Sequence, residues 1–238
     1  LYTDQALTSG EVLVLQPAAS HYLCRVLRAR RGFIVRLFNG LSDADFEAVL
    51  EEPDDRSARL KIGACIVNWR ESPLRISLAQ ALCRGEKMDL VLQKAVELGV
   101  CSVQPLVTER TEVHLDAERT SKRGLHWRGV VLGACEQSGR ARVPELCAVR
   151  DLDDWLASAS AVPRVALDPN AASTLGALAI ADAVCLIVGP EGGFSDRELA
   201  SFEAADVQRV RLGPRVLRTE TAGLAAIAAL QARFGDFC

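Results

Sequence analysis

No C-x-x-C pair occurs among the eight cysteines of this 238-residue chain. Cys24, Cys65, Cys83, Cys101, Cys135, Cys147, Cys185 and Cys238 are mostly flanked by apolar residues, as in Ala64-Cys65-Ile66-Val67 and Val184-Cys185-Leu186-Ile187. A free cysteine behaves as a small hydrophobe, so they read as core filling rather than as disulfides or metal ligands. The histidines, His21, His114 and His126, stand at no metal-ligand spacing to one another or to a cysteine, which argues against a zinc site. Nothing resembles a signal peptide, and no apolar run approaches the ~20 residues of a membrane span. A reducing cytoplasm is the expected location. G-x-G-x-x-G, G-x-x-x-x-G-K-[ST] and G-x-S-x-G are all missing, so dinucleotide sites, Walker-type nucleotide sites and α/β-hydrolases lose support.

What is present is a globular composition, 49% hydrophobic and 25% charged, long enough for one large domain or two small ones. The formal net charge of -3 does not suggest a nucleic-acid partner, so any basic surface must be local. Residues 11 to 67 read as short strands: Glu11 to Leu15, Phe33 to Phe38, Asp45 to Leu50 and Ala58 to Val67. Asn39-Gly40 signals a hairpin between the second and third. One helix is expected near Ser20 to Arg30, capped by Ser20 and ended by Gly32. That is a small β-barrel in outline, closed by a polar, proline-marked break at Asn68 to Pro73.

Beyond the break, strand and helix alternate. Arg75 to Leu82, Val100 to Val107, Pro163 to Leu167, Ala183 to Val188 and Val207 to Leu212 read as strands. Glu86 to Leu98 reads as a helix that buries Met88, Val91, Leu92, Ala95 and Val96, with Gly99 as its stop. Ala117 to Ser138 is a longer helix with Val130, Val131, Ala134 and Cys135 inward. Ser195 to Glu198 is a capping box, and a last helix runs from about Thr219 to Phe234. Alternation of this kind implies an α/β fold with a mostly parallel, helix-covered sheet.

Two glycine-bearing segments directly follow apolar strands: Gly189-Pro190-Glu191-Gly192-Gly193-Phe194, and Leu212-Gly213 through Leu217-Arg218-Thr219-Glu220. Ligands of parallel α/β sheets bind where strands end and loops lead into helices. Two such loops could wrap an adenosine-sized ligand through backbone hydrogen bonds, or be ordinary turns. Arg25, Arg28, Arg30, Arg31 and Arg36 follow His21 with no acid among them, and Arg119, Lys122, Arg123, Arg128, Arg140 and Arg142 form a second group. Phosphate backbones attract such stripes; a solvated helix face is the other reading.

The run Ala81-Leu82-Cys83-Arg84-Gly85-Glu86-Lys87-Met88 through Glu97-Leu98-Gly99-Val100 resembles the signature of the RsmE family, the small-subunit (16S) ribosomal RNA uridine-N3 methyltransferases. Glu109-Arg110-Thr111, Ala134 to Arg140, the Gly189 to Phe194 loop and Leu212 to Ala222 follow in the family's order. His21 to Arg28 resembles its N-terminal H-x-x-x-V-L-R motif. The departures are small: Arg84 replaces a usual Lys, and Phe33 a frequent acid. The chain opens at Leu1-Tyr2, without the methionine and arginine that usually precede this point, so an RNA-touching residue is expected ahead of Leu1.

The resemblance implies a PUA-like β-barrel for RNA binding at residues 1–70, and a SPOUT methyltransferase domain at 74–238. The latter would be a trefoil-knotted parallel sheet with helices on both faces, an exception to unknotted connections. It further implies S-adenosylmethionine as cofactor, ribosomal RNA or the small subunit as partner, and a homodimer that shares its active sites. Residue by residue, cofactor binding falls to Leu167, Gly189, Glu191, Gly192, Leu212, Gly213 and Leu217, and RNA binding to His21, Arg25, Arg28, Arg30 and Arg140. Uridine N3 must lose its proton to attack the sulfonium methyl, so a base and a cation should assist. Arg218 is the expected cation, Glu220 the leading base and Glu136 the reserve. Glu220 could equally serve only the dipole of the last helix, by about 0.3–1 kcal/mol. No metal is needed, because the sulfonium is already charged. Other readings stay open: an enzyme for another RNA such as tRNA, a non-catalytic RNA-binding dimer, or a metabolic enzyme using Gly192-Gly193 as an anion nest.

Overall fold

The computed structural model describes residues 1–113 and 117–237, so His114 and Cys238 lie outside the described residues. The chain divides into two compact units, Leu1–Glu71 with Cys135–Val143, and Ser72–Ala134 with Pro144–Cys238.

In the first unit β1 (Val12–Val14), β2 (Ile34–Leu37), β3 (Ala44–Glu52) and β4 (Arg59–Val67) form an antiparallel sheet in the order β1-β4-β3-β2. Alternation puts Leu13, Leu37, Ala48, Leu50, Leu60 and Ile62 on one face, where they pack with Leu15 and Leu23. Fully burying a leucine contributes about 1.5–3 kcal/mol, so these side chains hold the sheet. Asn39 and Gly40 sit inside a longer connection than a tight hairpin. Asn39 Oδ1 accepts from the Leu41 N–H, and Gly40 takes φ +78.

The helix expected at Ser20 to Arg30 starts and ends earlier along the chain. It is α1 (Pro17–His21), continued by a wider π-turn at Tyr22–Val26. Proline fixes the φ of a first helical residue, which moves the start to Pro17. Ser20 is therefore no cap: its buried hydroxyl donates to the Leu15 carbonyl and accepts from the Ala58 N–H. Arg28, at φ +54, ends the turn, and the Ala29 N–H reaches back to the Leu23 carbonyl. Gly32, at φ +88, instead bends the chain into β2.

Polar contacts tie residues 135–143 into this unit. Asn68 Nδ2 donates to Asp45 and to the Gly139 carbonyl, and Arg142 forks onto Asp43. Arg140 does the same with Glu71.

The second unit is built on a parallel sheet of β5 (Arg75–Ala81), β6 (Val100–Val107), β7 (Glu145–Leu146), β8 (Arg150–Asp151), β9 (Arg164–Leu167), β10 (Ala183–Val188) and β11 (Gln208–Val210). The order is β11-β9-β10-β5-β6-β7, with β8 also on β6. Every residue of β10 is buried, as a central strand covered on both faces requires. On one face, Ala79, Ala166, Cys185 and Ile187 pack against α4 (Leu152–Leu156) and α5 (Asp196–Ala204) through Leu152, Trp155 and Phe202. On the other lie α6 (Thr219–Phe234) and α2 (Lys87–Glu97). There Gly223 lets α6 approach Val188, Leu78 and Gln80 so closely that a Cβ would stand 3.2 Å from Val188. The α2 residues buried are Met88, Val91, Leu92, Ala95 and Val96, and Gly99, at φ +87, stops the helix. α3 spans Ala117–Ser138.

Cys83, Cys135 and Cys185 are buried, and burial pushes their thiols up to about 11, 12 and 12. They remain neutral fillers. Cys65 is exposed despite its apolar neighbours; it lies in β4 beyond the bulge against β3, where the alternation of buried and exposed residues has ended.

Candidate functional site

β9, β10 and β11 are parallel neighbours, so the loops leaving their carboxyl ends converge. They enclose a cleft of about 270 Å³. Leu167 and Asp168 line it after β9, Gly189 through Phe194 after β10, and Leu212, Arg215 and Leu217 after β11. Val188, Leu199 and Val210 add apolar wall. Apolar walls, with backbone polar groups presented by a glycine loop, suit a nucleoside-sized ligand.

The glycine loop is held from three sides. Thr219 Oγ1 donates to the Gly189 carbonyl at 2.6 Å and accepts from Gln80 Nε2 at 3.0 Å, fastening the loop to α6 and β5. Arg110 Nη1 donates to the Gly192 carbonyl at 2.9 Å. Glu198, 1% exposed, accepts from the N–H groups of Ser195 and Glu109, completing the capping box and joining the loop after β6 to α5. Side chains crowd two of the loop's glycines. A Cβ on Gly189 would stand 3.1 Å from the Phe194 ring, and one on Gly192 would stand 3.1 Å from Arg110 Cβ.

The expected cofactor residues Leu167, Gly189, Glu191, Gly192, Leu212 and Leu217 all line the cleft. Gly213 does not. It turns the chain after Leu212 at φ +82. Arg218 is exposed at the N-cap of α6, and Glu220 lies in that helix's first turn with its side chain 15% exposed. Glu136 belongs to the first unit, where it accepts from the Tyr2 N–H, and forms no part of the cleft.

In the first unit His21, Arg25, Arg28 and Arg30 are exposed, with Arg25 paired to Asp55 at 2.9 Å. Arg140 departs from the expected RNA-binding set. It is 3% exposed and forked onto Glu71, so its charge serves the packing of that unit. Asp168, Phe194, Thr219, Arg110 and Lys87 were not singled out as site residues from the sequence. Position at the carboxyl end of a parallel strand is the signal that could have found Asp168.

Lys87 joins two carboxylates, lying 3.1 Å from Glu191 Oε1 and 3.5 Å from Glu220 Oε2. Burial disfavours the charged form of Glu191, but its own backbone N–H, the Lys87 ammonium and the Arg84 N–H outweigh this and hold the carboxyl below its ordinary value. A depressed carboxylate contributes stability that is present above its unfolded-chain pKa and lost as pH falls through the folded one. The stability difference between wild type and Glu191→Gln should therefore be largest near neutrality and shrink below about pH 4. Thermal denaturation across pH checks this; a difference constant with pH would contradict it.

A family profile described as "RNA methyltransferase domain" matches residues 70–231. The ribosomal RNA small subunit methyltransferase E of Buchnera aphidicola subsp. Schizaphis graminum is 33% identical over 99% of this chain and 96% of its own. Its counterpart from Neisseria gonorrhoeae, solved bound to S-adenosyl methionine, is 38% identical, with a TM-score of 0.95 over 100% of this chain and 98% of that one. A methyltransferase from Legionella pneumophila, solved with the cofactor SAM, gives 39% identity and a TM-score of 0.94 over 99% and 98% of the two chains. This chain belongs to the ribosomal RNA small subunit methyltransferase E family.

Proposed function

We propose that this chain is an S-adenosylmethionine-dependent methyltransferase acting on N3 of a uridine in small-subunit (16S) ribosomal RNA. The observation that carries the reading is the cleft at the carboxyl ends of β9, β10 and β11, walled by apolar side chains and floored by the Gly189–Gly193 backbone. Leu167, Gly189, Glu191, Gly192, Leu212 and Leu217 would hold the cofactor, with Gly213 shaping the loop beside it. When bound, S-adenosylmethionine supplies an electrophilic methyl group on a sulfonium. Arg218, exposed at the start of α6, would place its guanidinium against a uracil carbonyl as negative charge develops. Glu220 is the base on this reading. In the same reading the second unit carries the SPOUT trefoil knot and the first is a PUA-like barrel. The working form is a homodimer in the cytoplasm.

Gly192→Val would force a branched side chain against Arg110, and Gly213→Val a β-branched residue into positive φ. Calorimetry should detect S-adenosylmethionine binding to the wild type and its loss in Gly192→Val, with circular dichroism unchanged. Undiminished affinity in both variants would remove these loops from the cofactor site.

His21, Arg25, Arg28 and Arg30 are the proposed RNA-contacting stripe. Replacing Arg25 and Arg28 by alanine should weaken RNA binding at every sequence. It should also flatten the salt dependence by about one unit of slope per lost contact, without moving cofactor affinity. An unaltered slope would return the stripe to a solvated face.

A further inference from the structure

Lys87 has no part in the assignments above, yet its ammonium lies between two carboxylates from different elements. Glu191 belongs to the glycine loop that lines the cleft. Glu220 belongs to the first turn of α6, whose neighbours Leu217, Thr219 and Ala222 line the same cleft. Lys87 therefore stands at the edge of the cleft on the β5 side, and its side chain keeps 32% of its exposure. An ammonium has three N–H donors. One is donated to Glu191 at 3.1 Å, one is at ion-pair distance from Glu220, and the third is uncommitted. Glu220 Oε2 is buried beside this ammonium without a hydrogen bond, an acceptor that no donor satisfies.

An acceptor next to a donor has a natural complement in a pyrimidine edge. Uracil presents C2=O, N3–H and C4=O, which is acceptor, donor, acceptor. Glu220 suits the N3–H, and Lys87 suits a flanking carbonyl. Cytosine has a lone pair at N3, so Glu220 would face it acceptor against acceptor, and on the N4 side Lys87 would meet a donor amino group. Leaving buried polar groups mispaired is how such sites reject the wrong base.

We propose that Lys87 and Glu220 together read the imide edge of the target uracil, and that Lys87 stabilises the uridinate during methyl transfer. This rests on the reading of the chain as a uridine-N3 methyltransferase. N3 takes the methyl group, the N–C bond forming as the S–C bond breaks to leave a neutral thioether. The N3 proton passes to the Glu220 carboxylate and then to water. The hydrogen bond that Lys87 donates to Glu191 raises the Lys87 pKa, so Lys87 stays protonated and acts as a cation, not as the base.

The competing role is a mechanical clip between two loops, and the experiment must separate them. Wild type, Lys87→Arg and Lys87→Met are compared in single-turnover methylation of small subunits assembled on 16S RNA containing uridine or 5-fluorouridine. The fluorinated base gives up its N3 proton more readily and needs less help from a cation. Lys87→Met should lose about 10²–10³ in rate on uridine, with Lys87→Arg between it and the wild type. The fluorinated substrate should recover Lys87→Met by a larger factor than it accelerates the wild type. Affinity for S-adenosylhomocysteine, by calorimetry, should fall far less than the rate. An equal response of wild type and Lys87→Met to fluorination, or cofactor affinity lost in step with rate, would make Lys87 a clip and overturn the assignment. Wild-type transfer to uridine is measured in the same series. Its absence would fell the functional reading and this assignment together, whereas a failure of this assignment alone leaves that transfer intact.

Discussion

Arg218→Ala is expected to slow single-turnover methyl transfer by about 10²–10³ while leaving cofactor affinity nearly unchanged. The residue is exposed at the N-cap of α6, one position beyond Leu217, which lines the cleft. Lysine keeps the charge there but loses the planar fork that can bridge two acceptors, so Arg218→Lys should fall between alanine and the wild type. Were the residue only an anchor for the loop, cofactor affinity would collapse together with the rate. Near-normal turnover in Arg218→Ala would eliminate the catalytic role. Glu220→Gln is the companion variant. A general base should be partly replaceable by hydroxide as pH rises, whereas a carboxylate serving only the helix dipole should show lower stability and no such recovery.

Arg140→Met should destabilise the protein by about 3 kcal/mol, the lower end of what removing one partner of a buried ion pair costs. Arg140 is 3% exposed, and its loss leaves the Glu71 carboxylate, only 21% exposed, without its bidentate partner. Denaturant unfolding checks this. The double variant Arg140→Met with Glu71→Leu should recover most of the loss, because an apolar pair of similar volume carries no uncompensated charge. If the single variant unfolds with the wild type, Arg140 does not hold the first unit as described.

Much of the second unit was legible in the sequence because its physics is local. Ala183–Val188 is a continuous apolar run and is a fully buried strand. The five residues placed on the inner face of α2 are the five that are buried, and the Ser195–Glu198 capping box forms as its spacing requires. β7 and β8, of two residues each, are too short to show a period. α4 is a helix of only five residues. The same limit applies to the site. The glycine loops announce themselves by composition and by following strands. Lys87 does not, since its placement depends on the start of α2, the loop after β10 and α6 meeting in space. Arg140 shows the converse. Along the chain it continues a basic stripe, but its neutralising partner Glu71 is 69 positions away, a pairing no local pattern reveals.

On the proposed reading, this chain places a methyl group from S-adenosylmethionine on N3 of a uridine in small-subunit ribosomal RNA. The most direct measurement is mass-spectrometric mapping of that RNA after incubation of small subunits with the purified protein and cofactor. A methyl on N3 removes the proton used in base pairing, so reverse transcription should halt at the same nucleotide. One uridine should gain a methyl group with a coincident stop, both missing when S-adenosylmethionine is withheld. A methyl found on another base or on a ribose hydroxyl, or an RNA left unmodified by a protein that binds the cofactor, would contradict it.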